Sequence, residues 1–265
     1  MYLSKHVFMT VLQNKPPLPF RLTQNISKII ILWRQDLIMG EKKMFKYDVH
    51  VHTSETSSCG KVPAVQVVRM YKDAGYKGII ITDHYYDGYF DNIEFISWEA
   101  KMNMWLKGYK IAKSKGDEIG LTVILGMEVR FYNSPNDYLV YGTDETLLKN
   151  NPELYMLGLE KFKTFAEDNR LLIYQAHPYR PNITAAPPKL LDGVEVYNGN
   201  PRHNSHNDSA LEFAIDNNLK MLSGSDFHQI EDIARGGLML KQRINTVSEL
   251  LGVLKAQAYE LIKNV

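Results

Sequence analysis

A single cysteine, Cys59, stands in a chain of 265 residues, so no internal disulfide can form and a reducing compartment suits the chain. Long apolar runs are missing as well. A membrane-spanning helix needs roughly 20 such residues, and the nearest candidate is the five-residue run Ile29-Ile-Ile-Leu-Trp33, closed by Arg34. That run is too short for a signal-peptide core and too far from the N-terminus. An excess of one charge sign is also absent. The formal net charge of +1 argues against a surface that coats nucleic acid or binds a membrane. No internal repeat and no low-complexity tract is visible. These absences leave a soluble cytoplasmic protein as the expectation. Its 45% hydrophobic and 23% charged residues are enough to build a core. Barrels and α/β folds often reach this length as one unit.

The first 43 residues differ from the rest. They hold seven Lys/Arg against two Asp/Glu, with a Pro16-Pro17 pair and no sustained period. They read as an extension: a basic arm for an acidic partner, a poorly ordered segment, or an artefact of start-site choice. In the last case the natural chain begins at Met44, and residues 44–265 form a single domain.

From Tyr47 onward strand and helix patterns alternate. Strands are expected at Tyr47–His52, Gly78–Thr82, Thr122–Phe131, Tyr138–Tyr141, Leu171–Gln175, Gly193–Tyr197, Lys220–Ser223 and Leu238–Leu240. Helices are expected at Pro63–Ala74, where Pro sits near the start and Gly75 just past the end, and near 92–115, 152–167, 209–217 and 247–256. Repeated strand–helix units with short apolar strands argue for a parallel sheet covered by helices. Their number favours a closed barrel.

The stretch Tyr47-Asp-Val-His-Val-His52 places Asp48, His50 and His52 on alternate positions, so a strand aims all three at one face. Alone, this could be a wet surface strand. However, seven of the eight histidines follow residue 49, and most sit at strand ends beside acids. His84 ends ITDH, Glu128 lies in ILGMEVRF, His177 follows LLIYQ, and Asp226 and His228 follow KMLSG. In a barrel the C-terminal ends of parallel strands share one mouth, which would bring His50, His52, His84, Glu128, His177, Asp226 and His228 around one cavity. Imidazoles mixed with carboxylates suit Zn, Mn or Fe rather than Ca or Mg. Seven candidate ligands are too many for one ion and enough for two or three.

The ordered motifs Asp48-Val-His50-Val-His52-Thr53, Ile81-Thr82-Asp83-His84, Gly126-Met127-Glu128, Ala176-His177-Pro178 and Gly224-Ser225-Asp226-Phe227-His228 resemble those of the PHP (polymerase and histidinol phosphatase) family of metal-dependent phosphoesterases. The resemblance spans residues 46–245. It implies a distorted (β/α)7, TIM-like barrel with two or three divalent ions at the strand C-termini. His50, His52, Glu128 and Asp226 would hold one metal. Glu128 and His177 would share a second, with Asp137 replacing the histidine common at that position. His84 and His228 would help hold a third. Many family members have His or Asp shortly after the HxHT motif. Here Glu55 is the expected third-metal ligand, while Cys59 is expected as a small buried residue although it could ligate.

Asp48 and Asp83 are expected to orient histidines through the distal ring nitrogen. Arg180, three residues past His177, suits a phosphate grip, and Arg235 and Lys61 are further candidates. The loop YNGNPRHNSHN, with Asn198, Asn200, Arg202 and His203, could recognise substrate or form a turn with a helix cap. The resemblance implies hydrolysis of a phosphate ester by metal-activated water, with Asp226 and Arg180 assisting. A small phosphomonoester is the expected substrate, a nucleotide the next, and long nucleic acid is disfavoured by the near-neutral charge. Two alternatives are a barrel that has lost activity and serves as a binding module, and an amidohydrolase-like enzyme. The near-complete ligand set disfavours the first. The second usually needs a metal-bridging lysine, which no motif here supplies.

Overall fold

Strand β1 (Phe45–Val51) carries the first motif in a segment whose last five residues are all buried, so both of its faces are covered. In the computed structural model, which describes residues 43–93 and 95–264, this strand lies inside a sheet rather than at a wet surface. The expectations for the basic N-terminal segment fall outside the described residues. Met44–Val265 form one compact unit.

The elements follow in the order α1 (Ala64–Asp73), β2 (Gly78–Ile81), β3 (His84–Tyr85), α2 (Asp87–Phe90), α3 (Trp98–Trp105), α4 (Lys107–Ile119), β4 (Thr122–Arg130) and β5 (Asp137–Tyr141). After these come α5 (Glu145–Asn150), α6 (Gly158–Asp168), β6 (Leu172–Gln175), β7 (Gly193–Asn198), α7 (Asn207–Asp216), β8 (Lys220–Gly224), β9 (Gly236–Leu240), α8 (Val247–Ala256) and β10 (Tyr259–Lys263). The sheet runs β10-β9-β1-β2-β4-β5-β6-β7-β8, with β3 beside β4. It nearly closes into a barrel. β8 packs against β1 and β9, and Val51 bridges Phe227 just beyond β8, with Phe227 N donating to His50 O at 3.2 Å and His52 N to Phe227 O at 3.0 Å.

The sheet is mixed rather than all parallel. β5 runs antiparallel to both β4 and β6, and β9 runs antiparallel to β1 and β10. This reversal matters for the site, because an antiparallel strand presents its N-terminal end where its neighbours present their C-terminal ends. Asp137, the first residue of β5, is thereby paired with Arg130 at the end of β4.

The long helix expected over 92–115 is two helices meeting at Leu106. Ser97 caps α3 by accepting from Ala100 N at 3.2 Å. The junction has a chemical cause. The Thr56 hydroxyl donates to Trp105 O at 2.8 Å and accepts from Gly108 N at 3.2 Å, taking the place of a helical rung. Gly108 is required by the approach, since a Cβ there would stand 1.9 Å from Thr53 Oγ1. Helix α4 is thus docked on the loop after β1, over the motif residues.

Among the described residues the core has three clusters of apolar side chains, the largest running through Tyr85, Phe90, Trp105, Met127, Val140 and Phe162. Val49, Leu139, Tyr174 and Leu222 belong to a cluster with Leu250 and Leu254 of α8. Ile79, Ile81 and Val123 pack with Val67, Val68 and Tyr71 of α1. Burying each such side chain contributes about 1.5–3 kcal/mol, which holds the strand ends rigid enough to carry polar groups without their own packing.

Candidate metal centre

Each motif lands where a strand stops or bends, and the polar side chains converge on one point. Glu128 of β4 is at the centre. Its Oε1 lies 3.3 Å from His50 Nε2 and 3.3 Å from His177 Nε2, and its Oε2 lies 3.3 Å from His52 Nε2 and 2.9 Å from His84 Nδ1. Asp226 Oδ1 stands 3.2 Å from His50 Nε2, 3.6 Å from His52 Nε2 and 3.3 Å from His228 Nδ1. His50, His52, Glu128 and Asp226 are buried to 1% exposure or less.

Second partners set the tautomers. His50 Nδ1 is 2.8 Å from Glu195 Oε1, so Nδ1 donates to that carboxylate and Nε2 is turned toward the centre. The Ser57 hydroxyl donates to Asp83 Oδ1 at 2.7 Å and lies 3.2 Å from His52 Nδ1. Its oxygen therefore accepts the His52 Nδ1 proton, and Nε2 again faces inward. His228 Nδ1 lies 2.9 Å from Asp226 O. Such outer partners orient imidazoles toward a cation and raise their basicity.

The backbone is strained at two of these residues. His177 has φ 30° and Asp226 has φ 50°, the left-handed region that a non-glycine residue occupies at a cost of about 1–3 kcal/mol. Both follow the last residue of a buried strand closely, so the turn aims the side chain back across the barrel mouth.

Electrostatics follow from this crowding. Burial pushes the Glu128 carboxyl up, but the fields of His50 and His84 and the nearby His177 ring hold it well below the usual carboxylate range. Burial is likewise overcome at Asp226 by His50, His228 and Arg180, and its carboxyl is also held well below that range. Conversely, burial would lower the His50 imidazole, yet Glu195, Asp226 and Glu128 raise it well above its ordinary value. His84 is raised mainly by Glu128 against the same desolvation. The centre is therefore a tight cluster of opposite charges.

Does this donor set fit metal ions? His50 Nε2, His52 Nε2 and both Glu128 carboxylate oxygens are buried without a hydrogen-bond partner. Nitrogen and oxygen atoms that converge at 3.2–3.6 Å are what a cation between them would satisfy, and a buried unpaired polar atom otherwise costs about 1–3 kcal/mol. Three groupings place one ligand atom per residue within 4.8 Å of one another: His50, His52 and Asp226; His84, Glu128 and Asp137; and His52, His84 and His228. The residues fit divalent ions.

Asp137 reaches the centre but is also held by Arg130, which donates from Nε and Nη2 at 2.8 Å each. Arg130 escaped the sequence reading. A lone arginine ending a buried strand was its only trace.

Other expectations need correction. Glu55 does not turn toward the cluster: both carboxylate oxygens accept from Ala64 N, at 2.9 and 3.1 Å. Its anion caps the positive end of α1, a more local partner than any metal across the loop. Substituting Glu55→Ala is therefore expected to cost about 0.5–2 kcal/mol by urea unfolding while leaving the bound-metal count unchanged. A lost ion would restore Glu55 as a ligand. Asp48 touches no imidazole. Its Oδ1 accepts from His50 N and Ser225 N and its Oδ2 from Tyr71, tying β1 to β8 and α1, and burial raises its carboxyl to about 6. Glu195 does what was expected of Asp48. It sits between two valines in GVEVYN, and a carboxylate in a buried strand demands a partner, which was the signal available. Asp83 acts on His52 only through Ser57. Arg235 lies apart from the cavity, donating to Glu231 O at 2.9 Å. Cys59 is exposed rather than buried.

The centre opens into a cavity of about 380 Å³, lined among others by Lys61, Arg130, Arg180, Arg202, His203 and Cys59. Arg180 Nη2 donates to Asp226 Oδ2 at 2.6 Å and Asn198 Oδ1 at 3.1 Å. The polar loop after β7 proves to be mainly scaffold. Asn198 Nδ2 donates to Glu195 at 2.8 Å, Asn200 Nδ2 to Asp226 O at 3.1 Å, and the Arg202 guanidinium pairs with Asp232. Asn200, Arg202 and His203 nonetheless reach the cavity wall. At Cys59 burial acts upward, but the influence of His228 and His84 prevails and draws the thiol down to about 5.

No helix among the described residues is long and apolar enough to cross a membrane. Among proteins of known structure, the chain is similar to a two-domain protein of Bacteroides vulgatus described as containing a predicted PHP-like metal-dependent phosphoesterase, at 19% identity and a TM-score of 0.60. The match covers 83% of this chain and 65% of that one, so the chain spans just under two thirds of its relative. It is also similar to PsfC from Pseudomonas syringae, at 14% identity and a TM-score of 0.58, over 83% of this chain and 92% of that one. At these identities the likeness shows a shared fold. No curated protein matches the chain. Residues 48–227 match the PHP domain model and residues 204–259 the PHP-associated model. With the first match running from Asp48 to Phe227 and so enclosing every clustered imidazole but His228, the chain belongs to the PHP domain family.

Proposed function

We propose that this chain hydrolyses a small phosphomonoester with two or three divalent ions, Zn, Mn or Fe, bound by His50, His52, His84, Glu128, Asp137, His177, Asp226 and His228. The carrying observation is the set of buried, unpartnered imidazole and carboxylate atoms facing a cavity whose walls supply Lys61, Arg130, Arg180 and Arg202. Bound divalent ions would supply Lewis acidity, lowering the pKa of water to about 7 and offsetting phosphoryl charge.

The chain's own residues do the rest. Arg180 holds the Asp226 carboxylate in place through one nitrogen and keeps its remaining donors near the cavity, where they meet phosphoryl oxygens. Lys61 donates to Ser58 O at 3.2 Å and adds a cation to the cavity lining. The cavity lining contains no Phe, Tyr or Trp among the described residues, so it has no platform for a nucleobase. A compact, strongly polar substrate suits it better.

Metal analysis of the purified protein, with turnover of p-nitrophenyl phosphate and a panel of phosphorylated metabolites under added Mn or Zn, tests this reading. A folded protein that takes up no ion and turns over none of these esters would overturn it.

The titration pattern adds a pH prediction. In the metal-free chain the carboxylates of Glu128 and Asp226 have lowered values, so their stabilisation is present above the ordinary carboxylate range and is lost as pH falls through the lowered values. His50 and His84 have raised values. Their contribution is full below 6.5, the ordinary imidazole value, and is lost as pH rises through the folded values. Cations compete with those imidazole protons. The rise in Tm on adding Mn or Zn is therefore expected to be small near about pH 5.5 and larger near about pH 8, measured by scanning calorimetry. A metal-induced shift that shrinks with rising pH would contradict the ligand assignment.

A further inference from the structure

One cation in the cavity wall keeps donors that neither the ion positions nor the phosphoryl grip account for. Arg130 ends β4, and the antiparallel run of β5 sets it opposite Asp137. Its Nε and Nη2 each donate to that carboxylate at 2.8 Å. The Asp137 side chain is 4% exposed and that of Arg130 42%, so the carboxylate is sheltered while the guanidinium meets the cavity it lines. Arg130 Cζ also lies 5.8 Å from the centre of the Tyr86 ring, close enough for a cation–π contact. A carboxylate along one edge and a ring against one face fix the plane of the group.

A guanidinium has five N–H donors, and Asp137 takes two of them. Nη1 makes no hydrogen bond among the described residues. With the second Nη2 proton it forms the end-on fork that matches an oxyanion. The other cations of the wall are placed differently. Arg180 is tied to Asp226 and Asn198, Arg202 pairs with Asp232, and Lys61 reaches a backbone carbonyl. Arg180 follows β6 and Asp226 follows β8, whereas Arg130 stands on β4, at a distance along the sheet. Asp137 groups with His84 and Glu128 within 4.8 Å, so the guanidinium is one hydrogen bond removed from the ion positions. A phosphoryl group held beside Arg180 leaves Arg130 for the rest of the substrate, close to the ester oxygen.

We propose that Arg130, clamped by Asp137 and laid over Tyr86, is the subsite for a carboxylate of the substrate, which makes the hydrolysed ester a phosphorylated carboxylic acid. One guanidinium that already shares its charge with Asp137 suits the single charge of a carboxylate better than a second phosphate. The inference rests on the phosphoester reading above and narrows its substrate class.

Nonhydrolysable probes test it through binding alone. Phosphonoacetate and phosphonopropionate carry the carboxylate, and isobutylphosphonate and isopentylphosphonate replace it by a neutral branch of the same shape. In calorimetric titrations of the full chain loaded with Mn or Zn, the acid of at least one pair is expected to bind about 10–100-fold more tightly. A carboxylate also chelates ions, so the variants carry the decision. Arg130→Met should bring the ratio within each pair close to one, and Arg130→Lys, which keeps the charge but loses the fork, should leave an intermediate ratio. Lost support for Asp137 weakens both members of a pair alike, so the ratio reports the carboxylate. If Arg130→Met fails to fold, Arg130→Lys decides, and an undiminished preference there overturns the subsite. Equal affinities in the unaltered protein would overturn it as well, and with p-nitrophenyl phosphate still turned over they would leave the hydrolase reading standing. A protein that takes up no ion and hydrolyses no ester would overturn both.

Discussion

Replacing Glu128 by Gln is expected to lower phosphomonoester turnover by about a thousandfold or more and to reduce the metal content of the purified protein. One side chain touches four imidazoles, those of His50, His52, His84 and His177, within 3.3 Å, and both of its oxygens lack a hydrogen-bond partner. The amide is nearly isosteric, so β4 and its packing survive. However, it removes one negative charge and converts one lone-pair oxygen into an NH2 donor that faces other donors. Ions that shared this carboxylate lose their common ligand. Elemental analysis beside kcat is the check, and a variant with full metal content and near-unaltered turnover would remove Glu128 from the centre. In the metal-free state the same change deprives the raised imidazoles of His50 and His84 of a counter-charge, so circular dichroism must first show that the variant is folded.

The substitution Glu195→Ala is expected to cost roughly 3–5 kcal/mol of stability, the largest loss foreseen for a residue away from the ion positions. Its Oε1 takes the His50 Nδ1 proton at 2.8 Å, and its Oε2 accepts from His177 N at 3.1 Å and Asn198 Nδ2 at 2.8 Å. All lie in a site 1% exposed, so truncation strands three donors without water to replace the lost partner. Urea unfolding measures this cost. Glu195→Gln separates positioning from bulk stability. It keeps the shape and one acceptor oxygen but no longer draws the His50 proton to Nδ1 as strongly, and metal affinity should fall about 10–100-fold with a smaller loss of stability. Unchanged affinity in a stable Glu195→Gln variant would make Glu195 a packing residue only.

The motif residues were legible because most sit near or just past the end of a strand, and a strand end is a local pattern. Val49 and Val51 alternate with His50 and His52, and GIII, LIYQ and KMLSG are short apolar runs that end just before polar residues. Parallel strands carry such ends to one mouth, so His50, His52, His84, Glu128, His177, Asp226 and His228 could be grouped before any coordinates. What could not be read was which polar group contacts which. Glu55 and Cys59 lie four residues apart on one loop, and only the packing of α1 against that loop shows that Glu55 caps Ala64 while Cys59 lines the cavity. Asp48 and Glu195 are both acids in buried strands. The barrel's near closure between β1 and β8 places Asp48 against Ser225 N and Tyr71, and β7 brings Glu195 to His50, 145 positions away in the chain.

Thr56 illustrates the same limit for the fold. A helical period over 92–115 is a property of that segment alone, whereas the break at Leu106 comes from a hydroxyl on a distant loop entering between Trp105 and Gly108. The sequence by itself determined the strand order of the motifs, the kind of ligands and the family resemblance, because spacing and residue chemistry are carried along the chain. Only the tertiary structure decided the antiparallel turn of β5 that brings Asp137 and Arg130 to the mouth, the turning of Glu55 to cap α1, and the partnership of Glu195 with His50. Those depend on distances between residues far apart in the chain, and hydrogen bonds and ion pairs are decided within a few tenths of an ångström.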